Sequence, residues 1–445
     1  MSNSIKGVHI LIFPYPAQGH MLPMLDLTHQ LALRGITITI LVTPKNLPIL
    51  NPLLSTHHPS SIQTLVLPFP SHPSLPSGVE NIKDIGNAGN LPMINALGKL
   101  HDPIIHWFKS HPSPPVAILS DFFLGWTLHL AHQLGIPRIV FYSSGSFLAS
   151  VSNFIWQNIN TVRSLPVVHF PDLPRSPSFT ADHLPSIYRV YRESDPDGEF
   201  LKDGMLANIA SWGCVFNSLD ALEGEYLDHL KKKMGHQRVW GVGPLSLAGG
   251  AKTIGRVNPD KDSGDRVLAW LDGCPDGLEK SGVKFIWCIK EPTKGHVEGQ
   301  YGVIPCGFKD RAAKRGFLIR GWAPQVLILS HRAVGAFLTH CGWNSVLEGI
   351  MAGGMILAWP MEADQFVNAR LLVEDVGAGV RVCEGADAVP DSTELAQTIA
   401  NSMSGDTSVQ KVRAKELKDK AVEAVKESGS SWRDLEGLVN ELVQL

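Results

Sequence analysis

The chain has 445 residues, 44% of them hydrophobic and 18% charged, a balance that allows large buried cores in two or three domains. Its formal net charge is −3 and it holds no Lys/Arg block, which argues against a nucleic-acid or anionic-membrane partner. No stretch of about 18 uninterrupted apolar residues occurs, so the sequence offers no membrane span.

The first residues, MSNSIKG, lead directly into the apolar run VHILIFP (8–14), with no secretory hydrophobic region or cleavage site, and a cytoplasmic protein is expected. The runs ITITILV (36–42), IQTLVLP (62–68), VAILSD (116–121) and RIVFYS (138–143) follow, alternating with helical or irregular segments. Near-continuous apolar runs of this length are predicted to be parallel strands buried on both faces. Residues 241–264 are rich in Gly, Pro and charge and read as a linker. A second series repeats the pattern: VKFIWCI (283–289), FLIR (317–320), VGAFL (334–338), MILA (355–358) and GVRV (379–382). After Gln397 come charged amphipathic helices without a heptad repeat long enough to imply assembly, so a monomer is expected. The fold class predicted is α/β, with two doubly wound halves.

Two constellations carry chemistry. His20 follows the first strand in PAQGH, near the start of the helix MLPMLDLTHQLALRG, and in open α/β sheets ligands bind at that strand edge. A neutral imidazole there suits proton removal from a phenol or alcohol, and the positive helix end helps keep it neutral. A lone His in that place is more often a capping or packing residue. Asp121, which ends the fourth run, gives His20 a partner that can fix its tautomer and stabilise the imidazolium.

The second constellation is the stretch 322–365, WAPQVLILSHRAVGAFLTHCGWNSVLEGIMAGGMILAWPMEADQ. VGAFL reads as a strand and 344–351 as a helix capped by Asn344 or Ser345, joined by a tight turn in which Gly342 lets backbone approach a ligand. Such a helix start binds phosphate, so His340, Asn344 and Ser345 can hold a diphosphate without metal. Trp322 offers a flat face to a base, Gln325 a polar contact, Glu348 an acceptor for ribose hydroxyls, and Asp364 and Gln365 partners for sugar hydroxyls. An ordinary βαβ unit with an exposed polar turn has the same spacing.

This stretch resembles, nearly residue for residue, the signature box of the plant family 1 UDP-glycosyltransferases, and the likeness extends from PAQGHMLPMLDL to LLVEDVGAGVRV. The resemblance implies a GT-B fold, with two Rossmann-like domains facing across a cleft. It implies inversion at the anomeric carbon, no cofactor and no metal. It makes Trp322 the uracil stacker, Gln325 and Glu348 the ribose contacts, His340, Asn344 and Ser345 the diphosphate contacts, and Trp343, Asp364 and Gln365 the sugar contacts. Ala323 joins the UDP-sugar site, as does Ser143 after the fifth strand, and His20 and Asp121 become the catalytic pair. In this family a Gln at the closing position usually accompanies glucose, so Gln365 favours UDP-glucose as donor. The expected domains are 1–244 for the acceptor, 245–264 as linker, 265–427 for the UDP-sugar, and a C-terminal helix, 428–445, packing back on the first domain. The acceptor is expected to be a small phenolic such as a flavonoid, met by an apolar pocket. Phe122, Phe123, Trp126, Phe147, Phe154 and Trp156 are its candidate lining, although aromatics at these spacings more often belong to a core.

One departure stands out. In relatives, a helix like DRVLAWLDGCPDG is followed by a strand, a Gly-Ser or Gly-Thr loop and a helix ending like LEKSG. Here Gly277 joins Leu278 directly, and roughly 20 residues, one mean strand plus one mean helix, are missing. The missing strand would be the first of the second sheet, so an unpaired edge and a weakened donor site are expected, and with them a catalytically impaired relative as the alternative.

Competing motifs are weak. Asp195-Pro-Asp197 and Asp260-Lys-Asp262 have DxD spacing but read as solvated loops. His57, His58 and His72 lack companion ligands at metal spacing. The six cysteines, Cys214, Cys274, Cys288, Cys306, Cys341 and Cys383, show no CxxC and are expected reduced, and a thiol nucleophile at Cys341 has no orienting group. GxSxG and GxGxxG are absent, which disfavours a hydrolase and a dinucleotide oxidoreductase.

Overall fold

The structure, a computed structural model, describes residues 7–248, 283–289, 304, 306–308, 310, 315–388, 390–403 and 408–445. The chain divides into two compact units, Met1–Gly255 with Val422–Leu445, and Arg256–Ala421.

In the first unit the five apolar runs become β1 (His9–Phe13), β2 (Thr37–Val42), β3 (Ile62–Val66), β4 (Ala117–Asp121) and β5 (Arg138–Tyr142). A short antiparallel pair, β6 (Val167–His169) and β7 (Ser178–Thr180), stands apart. Two further strands, β8 (Gly213–Phe216) and β9 (Val239–Gly241), extend the sheet beyond the five expected. All seven sheet strands are parallel, in the order β3-β2-β1-β4-β5-β8-β9. Every residue of β1, β4, β5 and β8 is buried, the burial on both faces that continuous apolar runs require. The order reverses between β1 and β4, the crevice where doubly wound sheets bind ligands.

The first unit's core joins β1, β2, β4 and β5 to the helix Gln18–Leu33 and to Leu435, Leu438, Val439 and Leu442 of the helix Ser430–Val443. That last helix is pinned by Asp434, whose carboxylate accepts the Gly241 N–H at 2.6 Å, and by Ser431, whose hydroxyl donates to the Gly243 carbonyl. Burial pushes the Asp434 carboxyl up to about 6, against the Gly241 hydrogen bond. The expected linker is described only through its first four residues, and of these Leu245 is fully buried in the first unit's core.

In the second unit, β10 (Phe285–Ile289) pairs in parallel with β11 (Gly316–Arg320). Separately, β12 (Ala336–Thr339), β13 (Met355–Ala358) and β14 (Gly379–Arg381) form a parallel sheet in that order. Among the described residues the five runs of the second series therefore lie in two sheets, not one. Residues 249–282, with the junction of Gly277 and Leu278, Cys274 and Asp260-Lys-Asp262, lie outside the described residues. No described helix is long and apolar enough to cross a membrane.

Candidate active site and donor site

β1 ends at Phe13, and the helix Gln18–Leu33 opens after Ala17, so His20 stands inside the first helical turn, not ahead of the helix. β4, the neighbour of β1, ends in Asp121. The sheet thus delivers two residues 101 apart in sequence to the same switch point, where His20 Nδ1 donates to Asp121 Oδ2 at 2.9 Å. The other carboxylate oxygen accepts the Phe123 N–H at 2.9 Å, which fixes the carboxylate plane. Asp121 is fully buried, while the His20 side chain keeps 19% exposure. With Nδ1 bound to a carboxylate, Nε2 is the ring nitrogen left to take up a proton.

Aromatic rings hold the imidazole. It stacks on Phe122, with centroids 5.4 Å apart and planes at 18°, and meets Tyr15 edge-on at 5.3 Å. Tyr15 is buried and donates to Asn90 Oδ1 at 2.7 Å, and burial beside Asp121 raises its pKa well above the ordinary phenol value, so it stays neutral. Sequence reasoning missed Tyr15, although its place between two prolines at the end of the first apolar run marked it.

Of the six aromatics considered for an acceptor pocket, Trp126, Phe147 and Trp156 are interior: Trp126 packs on Phe13, Phe147 on Tyr226, and Trp156 on Tyr188 and Tyr191. Phe154 packs on Phe170, and only Phe122 and Phe123 border the dyad. Ser143 follows β5 and is buried. The turn that carries it is set by Glu223, also missed. Its buried carboxylate accepts the N–H groups of Ser146 and Phe147 at 2.9 and 2.8 Å and the Ser218 hydroxyl, capping the helix Ser146–Gln157 from a distant segment. In sequence Glu223 sits in LEGEY, indistinguishable from surface charge.

In the second unit, Trp322 lies just after β11 and is 38% exposed. Ala323 packs against Ile319 and Ile328. Gln325, which opens the helix Gln325–Leu329, donates to Glu348 at 2.7 Å, so the two residues assigned to one ribose are already joined. The turn after β12 carries Thr339, exposed His340 and buried Cys341, whose φ of +64° is a left-handed conformation uncommon for a side chain. The helix is Trp343–Ala352, and its N-cap is Gly342 with no side-chain cap. Asn344 and Ser345 therefore sit inside the first turn and do not cap it, where first-turn N–H groups lack helical partners. A Cβ on Gly342 would lie 2.6 Å from His340 Nε2, so glycine is what leaves room for the imidazole. Trp343 is only 3% exposed, so its indole belongs to the interior.

Burial pushes the Cys341 thiol up to about 12, which leaves it protonated and unsuited as a nucleophile. Asp364 precedes the helix Gln365–Arg370 and accepts from Asn368, which also donates to the Cys341 carbonyl. Gln365 Oε1 accepts the N–H groups of Met361 and Glu362 at 2.9 and 3.0 Å, ordering the turn 361–364 and leaving the amide NH2 as its remaining polar end.

The competing motifs also find places. Asp195 and Asp197 lie at the start of the helix Pro196–Ile209, not in a loop, and Asp197 accepts from His72 at 3.2 Å. His57 meets His29 at 2.7 Å, and His58 meets Ser60. Among the described residues no group of three or more His, Cys, Asp or Glu could hold a metal. None of the described cysteines forms a disulfide.

A family model described as UDP-glucoronosyl and UDP-glucosyl transferase matches residues 271–411. UDP-glycosyltransferase 89B2 of Stevia rebaudiana is 51% identical, with 99% of each chain covered. That alignment runs over 470 positions against 445 residues here, so at least 25 positions have no counterpart in this chain. Flavonol 3-O-glucosyltransferase UGT89B1 of Arabidopsis thaliana is 49% identical over 100% of this chain and 98% of its own. Among solved structures, UGT89C1 of Arabidopsis thaliana superposes with a TM-score of 0.79 at 37% identity, covering 98% of this chain and 100% of that one. UGT89C1 has also been crystallised with UDP-L-rhamnose and with quercetin.

Proposed function

The chain belongs to the plant family 1 UDP-glycosyltransferases, of GT-B fold, and on that premise we propose that it moves glucose from UDP-glucose to a hydroxyl of a small phenolic acceptor such as a flavonoid. The observation that carries the reading is the 2.9 Å hydrogen bond between His20 and Asp121 at the switch point of the first sheet. His20 Nε2 takes the proton of the acceptor hydroxyl, and Asp121 holds the imidazolium through Nδ1. The acceptor oxygen forms its bond to the anomeric carbon as the bond to UDP breaks, which inverts that carbon. UDP departs with the negative charge, which the first turn of the helix Trp343–Ala352, with His340, Asn344 and Ser345, is suited to stabilise. Trp322 stacks on uracil, Gln325 and Glu348 meet the ribose, and Asp364 and the Gln365 amide meet the sugar. No step needs a metal, and turnover in EDTA is expected to equal turnover with added Mg2+.

Glucose rests on Gln365; rhamnose, the sugar of the UDP-L-rhamnose with which a relative was crystallised, and xylose are the alternative donors. The acceptor class rests on the flavonol glucosyltransferase at 49% identity. The test is mass spectrometry of products from a flavonoid panel with UDP-glucose, UDP-rhamnose and UDP-xylose. A glucoside is expected, and a rhamnoside or xyloside as sole product overturns the donor assignment. A second reading, a catalytically impaired relative that binds UDP or acceptor, is favoured by the division of the second unit's described strands into two sheets. Folded protein that binds UDP but turns over no donor would decide for it.

A further inference from the structure

Beside the His20–Asp121 pair lies a buried charge that the proposed reaction does not use. Arg138 opens β5, opposite Ile118 of β4, and its side chain is fully buried. Its guanidinium donates through Nε to Ser120 Oγ at 2.9 Å, through Nη1 to Asn208 Oδ1 at 2.6 Å and Ser211 Oγ at 2.8 Å, and through Nη2 to the Asp121 carbonyl at 3.2 Å. Asn208, in the helix Pro196–Ile209, donates in turn to the Phe122 carbonyl at 2.8 Å. Arg138 and Asn208 thus grip two consecutive carbonyls, one of the residue that carries the buried carboxylate and one of the residue whose ring stacks on His20.

Hydrogen bonding alone does not require a charge there. All four acceptors are neutral, and a buried ion is costly unless an opposite charge offsets it. Around the guanidinium the titratable groups are Asp121 on β4, Tyr142 on β5 and Cys214 on β8. Burial raises the Tyr142 hydroxyl well above the ordinary phenol range and the Cys214 thiol to about 12, so both are neutral at neutral pH. Burial also lowers the guanidinium to about 10, which still leaves it protonated there. Among these groups Asp121, itself fully buried, is the carboxylate that balances the cation. Asp121 therefore stands between a fixed cation at its carbonyl and a titratable ring at Oδ2.

We propose that Arg138 is a positioning residue of the candidate active site: its buried positive charge offsets that of Asp121 and so resists proton uptake by the His20–Asp121 pair. A carboxylate alone favours the imidazolium, the form that cannot act as a base, and a cation behind the carboxylate opposes it. The pair keeps its proton-accepting form to a lower pH than Asp121 alone would allow. The kinetic consequence rests on reading His20 as the base of the proposed reaction.

The experiment follows the His20 ring by NMR in protein carrying isotope-labelled histidine, with His20→Asn to assign the signal, and measures kcat/KM against pH in the same proteins. Arg138→Gln keeps hydrogen-bonding capacity without the charge. It is expected to raise both the His20 titration midpoint and the acid limb of kcat/KM by about one pH unit. Arg138→Lys keeps the charge but not the fork, and both stay where they are in the parent. Asn208→Asp sets a carboxylate against the guanidinium and shifts both in the same direction as Arg138→Gln, which gives the readout where Arg138→Gln does not fold. A midpoint unmoved in folded Arg138→Gln, or in Asn208→Asp where that variant replaces it, overturns the charge role. So does an equal shift in Arg138→Lys, since a purely structural arginine would not distinguish the two replacements by charge. A midpoint that rises while the acid limb stays in place instead overturns His20 as the base, and the charge balance stands apart from it.

Discussion

His20 and Asp121 are joined by a 2.9 Å hydrogen bond, and in the proposed reaction each supplies what the other lacks: the ring a titratable nitrogen, the buried carboxylate a fixed negative charge. His20→Ala is expected to lower kcat by about 100- to 10,000-fold while UDP affinity, read by calorimetry, stays unchanged. Asp121→Asn leaves a hydrogen-bonding side chain but not the charge, and a smaller loss in the same direction is expected. Trp322→Ala should weaken UDP by roughly 1–3 kcal/mol, the usual value of one base stacked on an aromatic ring. The positions of these residues were legible because each stands at the end of an apolar run or inside a long specific motif. Tyr15 and Glu223 were not, since their roles come from partners 75 and 76 to 77 residues away. Trp343 was only half legible: its position in the motif was clear, and the burial of its indole was not.

At the scale of the element, Glu223 fastens a helix start from another segment. Glu223→Ala removes the acceptor of two buried N–H groups and a hydroxyl, and a loss of at least about 2 kcal/mol in first-unit stability is expected in urea melts, with Glu223→Gln losing less. The strands read as five continuous runs were found with small shifts at their ends, because a buried parallel strand leaves a run no helix would need. β8 and β9 went unread, being only four and three residues long. The cap of the helix Trp343–Ala352 was misplaced because Asn344 and Ser345 are good capping residues that here stand one and two residues inside the helix, after a glycine.

At the scale of the molecule, the helix Ser430–Val443 is part of the first unit's core. Burying Leu435, Leu438, Val439 and Leu442 at about 1.5–3 kcal/mol each amounts to roughly 6–12 kcal/mol, comparable with a whole domain's stability of about 5–15 kcal/mol. Truncation after residue 429 is therefore expected to leave the first unit unfolded or aggregated, as judged by gel filtration and circular dichroism. Asp434 on that helix ties its docking to pH. Its carboxyl is raised from 3.8 to about 6 in the fold, chiefly by burial and also by Asp220, against the Gly241 N–H, Lys231 and Arg433. The folded state thus holds the proton more tightly, so this group's contribution is fullest below about pH 4 and is lost as pH rises through 6. Asp434→Asn keeps an acceptor for Gly241 without the charge. It should flatten the stability profile between pH 4 and 6 and raise stability at pH 7 by roughly 1–3 kcal/mol in denaturant titrations.

Because Val422–Leu445 rejoins Met1–Gly255, the polypeptide passes from one unit to the other and back again. A protease cut near residue 250 would sever the backbone only at the outward crossing. The return crossing would still carry the carboxyl-terminal helix, seated under β9 by Asp434 and Ser431, so the nicked enzyme should run as two bands on a denaturing gel yet elute as one particle in native buffer.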